Sequence, residues 1–69
     1  MTWLSESNAA VGQIVEMSGG LAKIHEVIPG LGIVIDTMGP GMKLRITYQF
    51  TELSMRGAKI VEDADNQAN

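Results

Sequence analysis

The chain has no cysteine, so disulfides and thiolate metal sites are excluded as ways of stabilising the fold. Histidine occurs once, at His25, and a zinc site would need carboxylates or a second subunit. Aromatic residues are scarce, with Trp3, Tyr48 and Phe50 alone. Basic charge is also in short supply: eight acids against five bases leave a formal charge of −3, which argues against sequence-independent binding to nucleic acid or anionic lipid. No apolar run approaches membrane-spanning length, and "MTWLSESNAA" carries neither a basic region nor the apolar stretch of a secretion signal. A soluble, cytoplasmic protein that contacts no membrane is the expectation.

What is present is one domain's worth of chain. Sixty-nine residues bury only about 60% of their unfolded surface, so a domain of this size is marginal by itself. With disulfides and thiolate metals gone, a partner surface is the remaining support, and a homo-oligomer is expected.

The clearest pattern runs from Met42 to Phe50, where Met42, Leu44, Ile46, Tyr48 and Phe50 alternate with Lys43, Arg45, Thr47 and Gln49. This is a half-buried strand, long enough in so small a domain to bend and serve two sheets of a barrel. Upstream, "LGIVIDTM" is a β-branched run that suits a central strand. Turn residues punctuate both ends, "IPG" at 28–30 and "GPG" at 39–41.

Residues 11–28, "VGQIVEMSGGLAKIHEVI", fit two descriptions. As strands they form a hairpin about Ser18-Gly19-Gly20. As helices they place Leu21, Ile24 and Ile28 at helical spacing, with Gly19 as a C-terminal cap. Gly12, the β-branched Val11, Ile14 and Val15, and the lack of a capping box favour strands. Downstream, "TELSMRG" reads as a loop and "AKIVED" as a last strand. If that loop closes a hairpin, Arg45 lies opposite Asp63 and Tyr48 opposite Ile60.

The expected fold is all-β: a small five-stranded barrel, OB-like or SH3-like. It would comprise an N-terminal arm at 1–10, the barrel at 11–63 and a disordered tail at 64–69. The alternative is α+β, with a helical 5–28 region and a C-terminal β-meander.

Catalytic equipment is not apparent. The glycines match neither a Walker loop nor a dinucleotide fingerprint, because the spacing fails and a strand comes next in place of a helix. Turn chemistry accounts for them. His25 and Glu26 are adjacent on a strand and point to opposite faces, and no nucleophile and base pair by spacing. Glu16 and Asp36 are isolated acids without metal-ligand spacing. No cofactor is implied, and the chain is expected not to be an enzyme.

Two stretches resemble nucleic-acid modules. "IHEVIPGLG" resembles the hairpin of helix-hairpin-helix motifs, in which backbone amides meet a phosphate, but the next segment is β-rich. The order "GQIVEM", "PGLGIV", a long alternating strand and "RGAKIV" resembles cold-shock-type OB barrels, and that resemblance implies stacking on single strands. Leu31 and Ile33 stand where such a platform carries aromatics.

Interaction with protein is the expected function: an oligomeric adaptor binding through apolar strand surfaces and the Trp3 arm, with Trp3, Leu4 and Met55 as contact residues. The methionines at 17, 38 and 42 are expected mainly as core filler, with Met55 in a loop as the exception. The rival function is single-stranded nucleic-acid binding by a stripe of Lys43, Arg45 and Lys59.

Overall fold

The computed structural model describes residues 2–63. Six strands form a single sheet: β1 (Thr2–Trp3), β2 (Ile14–Met17), β3 (Gly20–Ile28), β4 (Gly32–Thr37), β5 (Arg45–Gln49) and β6 (Lys59–Glu62). A short helix, α1 (Phe50–Arg56), lies between β5 and β6. The order across the sheet is β1-β6-β2-β3-β4-β5, and every pairing is antiparallel. The fold is therefore β-rich as expected, but the sheet is open, with β1 and β5 as its two edges. The expected five-stranded barrel is corrected to a six-stranded sheet that does not close.

Turn residues dictate the meander from β2 to β5. Ser18 and Gly19 both take positive φ, 52° and 80°, which gives the β2–β3 hairpin the twist of a type I′ turn. Between β3 and β4, Pro29 precedes Gly30 at φ 79°, and Leu31 N donates to Ile28 O at 3.0 Å, as a type II turn requires. The helical alternative for 5–28 is overturned, since that region supplies two strands of the sheet.

β3 carries a bulge. Ile24 faces Ile35 but Glu26 faces Val34, so His25 is an extra residue with no opposite number on β4. Side chains before the bulge point inward at Ala22 and Ile24, and after it Val27 faces the buried Ile33.

The core is aliphatic: Ile24, Ile33, Leu53 and Val15 are its largest fully buried side chains, joined by Leu4, Met17, Ala22, Ile35, Ala58 and Ile60. Tyr48 and Phe50 pack against it half-buried. Gly32 permits this packing, because a Cβ there would collide with the Tyr48 carbonyl oxygen across the β4–β5 ladder.

Three further expectations are corrected. The strand expected over Met42–Phe50 begins only at Arg45, because Gly39 and Gly41 at positive φ swing the preceding segment away, leaving Met42 82% exposed. "TELSMRG" is helix and not loop: Leu53 anchors it in the core, Glu52 and Arg56 pair at 3.3 Å, and Gly57 at φ 70° ends it. The two closing bonds, Gly57 N to Ser54 O and Ala58 N to Leu53 O, are those of a Schellman motif. Finally, α1 carries the chain across the sheet, so β6 pairs with β2 and β1 and not with β5. The facing pairs Arg45–Asp63 and Tyr48–Ile60 do not form; Arg45 faces Asp36 and Tyr48 faces Ile33.

Within residues 1–10, Thr2 and Trp3 pair with Ile60 and Lys59, and Leu4 N donates to Ala58 O at 2.9 Å. Side chains fasten the next residues. Buried Gln13 accepts from Ala10 N and donates to Asn8 O, while Glu6 accepts from Gly30 N at 2.9 Å. The tail expected at 64–69 lies outside the described residues. No helix among the described residues is long and apolar enough to cross a membrane.

Candidate functional site

Strand register brings charges together that are far apart in sequence. Lys23 on β3 faces Asp36 on β4, and Asp36 in turn faces Arg45 on β5, so three charged side chains form a row across the solvent face. Arg45 grips the carboxylate with two of its three guanidinium nitrogens: Nε donates to Oδ1 at 2.7 Å and Nη2 to Oδ2 at 3.3 Å. His25, displaced onto this face by the bulge, brings Nδ1 within 3.8 Å of Oδ2. The Arg45 hydrogen bond, reinforced by the charges of Arg45 and His25, holds the Asp36 carboxyl below its ordinary value of 3.8.

Beside this row lies a cleft of about 610 Å³, lined by Lys23, Asp36, Thr37, Met38, Lys43, Leu44 and Arg45. The β4–β5 connection shapes its wall. Thr37 N donates to Leu44 O at 2.9 Å, and Leu44 N donates to Thr37 Oγ1 at 2.8 Å, so the Thr37 side chain takes the place of a ladder acceptor. Met38 N donates to Leu21 O and ties the same wall to β3. Lys23, Lys43 and Arg45 bring three positive charges to the lining against the single negative charge of Asp36. Arg45 already engages Asp36, while Lys23 and Lys43 enter no ion pair among the described residues. The cleft is thus locally basic on a chain of net charge −3.

Of the expected cationic stripe, Lys43 and Arg45 meet in this cleft. Lys59 does not join them: it stands on β6, with β2, β3 and β4 between it and β5. Its Nζ lies 4.8 Å from the centroid of the Trp3 ring, a cation–π contact across the β1–β6 pair. Lys23 was not anticipated, because only the register of β3 on β4 reveals its place opposite Asp36.

The apolar contact candidates fall into two environments. Leu4 is 6% exposed and belongs to the core. Trp3 is 63% exposed and Met55, on α1, 86% exposed, so both offer their surfaces to solvent. Met42 and Leu44 are also exposed, in the segment that leads into β5. Among the described residues no group of three or more metal-ligating side chains is close enough to hold an ion. No family model matches the chain, and no curated protein or solved structure does either.

Proposed function

We propose that this chain is a non-enzymatic protein-interaction module that engages its partner along β5. The observation that carries this reading is that β5 has a neighbour on one side only, while Met42 and Leu44, which lead into it, remain in solvent. An unpaired strand with apolar side chains beside it is a template for pairing with another chain. The connectivity supports an SH3-like reading over an OB-like one: four strands in a meander, a helical turn, and a last strand returning beside the first of them.

Trp3 and Met55 form a second apolar offering, and we assign self-association to them. Both are large, exposed and carried on ordered elements. Sedimentation velocity over a range of concentrations tests this. The wild type is expected to sediment as more than a monomer, and Trp3→Ser with Met55→Lys to restore the monomer. A wild type that is monomeric throughout overturns the oligomer.

The nucleic-acid reading retains Lys43 and Arg45 and gains Lys23. It lacks an aromatic in the cleft on which a base would stack, and the overall charge is negative.

A further inference from the structure

We infer that the partner segment is an extended peptide with alternating acidic and apolar residues, which adds to the sheet as a strand beside β5 and places acidic side chains toward the Lys23–Lys43 cleft. The inference rests on the reading of β5 as the docking edge. It adds the chemistry of the occupant.

The hydrogen-bonding phase of β5 shows which groups are free. Thr37 N bonds to Leu44 O, and Phe50 N bonds to Leu31 O. Ladder bonds alternate along an antiparallel pair, so between these two Ile46 and Tyr48 direct their backbone groups at β4. Arg45, Thr47 and Gln49 direct theirs outward, away from the sheet. The N–H groups of Arg45, Thr47 and Gln49 and the C=O groups of Arg45 and Thr47 therefore line the open edge, the Gln49 carbonyl being taken by the first turn of α1, and these are enough to register one added strand.

Side chains determine what that strand carries. Ile46 and Tyr48 point toward the core yet remain half-buried: no strand flanks them at the edge, and the Arg56 guanidinium covers part of the Tyr48 ring, 5.3 Å from its centroid. An added strand alternates its side chains between the two faces, so every second residue would cover these two and must be apolar. The residues between them emerge on the face that carries Arg45. There Lys43, in the segment that leads into β5, presents its ammonium group without a carboxylate partner among the described residues, Lys23 adds positive charge from β3 behind β4 and β5, and Arg45 already neutralises Asp36. Acidic side chains complement that face. Nucleic acid meets the charge requirement but gives nothing to cover Ile46 and Tyr48, and it finds no stacking partner in the cleft.

The experiment uses the full chain labelled for amide NMR, titrated with a twelve-residue peptide of alternating Asp and Val. Two controls are run beside it: the Ser/Val counterpart of the same length and a twelve-nucleotide oligothymidylate. The expected result is that the Asp/Val peptide shifts the amides of 43–49 and slows exchange of the Arg45, Thr47 and Gln49 N–H groups. Its affinity is expected to fall at least about tenfold in Lys23→Glu with Lys43→Glu, exposed positions that leave the core intact. Thr47→Pro removes one outward N–H without touching a β4 bond and is expected to weaken the peptide as well.

If the Ser/Val peptide binds β5 as tightly as the Asp/Val peptide, β5 remains a docking edge and the acidic specificity is wrong. If neither peptide moves β5, both readings fall. Oligothymidylate binding at the cleft in preference to the peptide makes the occupant a nucleic acid and overturns the inference. So does protection of the three edge amides in the unliganded chain that grows with protein concentration, since the occupant is then a second copy.

Discussion

Ser18 is the only non-glycine residue at positive φ among the described residues, and it occupies a turn position that favours asparagine. Ser18→Asn is expected to raise stability by about 1 kcal/mol, read as a higher urea midpoint at unchanged slope. The sole loss is the exposed 3.3 Å contact from Arg56 to Ser18 Oγ. Gln13 illustrates the opposite case. Its buried amide satisfies Ala10 N and Asn8 O together, so Gln13→Ala leaves both groups unpaired and should cost about 1–3 kcal/mol in the same assay. Asp36 makes a pH-dependent contribution. Because its folded pKa is depressed, the stabilisation is present above the unfolded value of 3.8 and is lost as pH falls through the folded one. Acid unfolding of Asp36→Asn compared with the wild type should therefore differ least at the acid end and most above about pH 4. At this scale the sequence revealed part of the site. Lys43 and Arg45 are neighbours on alternation alone, whereas Lys23 and His25 join Asp36 only through the register of separate strands.

Elements were legible where local chemistry determined them. The "SGG" and "IPG" turns and the β-branched run of β4 are where sequence reading placed them. The helical alternative for residues 11–28 rested on Leu21, Ile24 and Ile28, and of these only Ile24 is buried: Leu21 stands 46% exposed and Ile28 is half-buried, so their spacing marks no common face. Inward side chains instead take a step of two from Ala22 to Ile24 and, across the bulge, a step of three from Ile24 to Val27. The helix α1 escaped notice for a different reason: with seven residues and Leu53 alone buried, it has no repeating apolar stripe. The signals that mark it are the i,i+4 pair Glu52–Arg56 and the glycine at its end. Gly57→Ala tests that ending. A Cβ there would be 3.5 Å from the Trp3 ring, an ordinary contact, so the cost is conformational and should be about 1–2 kcal/mol.

Across the molecule, β6 bridges parts of the chain that are distant in sequence, pairing on one side with β2 and on the other with β1. This long-range closure was invisible in the sequence, because a short connection to β5 looked equally sound without the helix. It also sets folding behaviour: non-local strand pairing places folding in the range of about milliseconds to seconds, which stopped-flow refolding would measure. Leu4 secures the β1 end of that closure from within the core. Leu4→Ala should cost about 2–5 kcal/mol, a large share of the stability of so small a domain, and thermal melting should show it substantially unfolded at room temperature.

The extra residue at His25 gives β3 something like a reading frame with one letter to spare against β4. The pairs on either side of it, Ile24–Ile35 and Glu26–Val34, use consecutive residues of β4. A chain lacking His25 would therefore close into an unbroken ladder with Ile24 and Val27 still inward, surrendering the bend and the histidine beside Asp36 but not the core. β4 has no such spare residue, and a deletion between Ile33 and Ile35 would turn part of its inward set to water. Change in length is thus tolerated unequally by two neighbouring strands, and the slack lies entirely in β3.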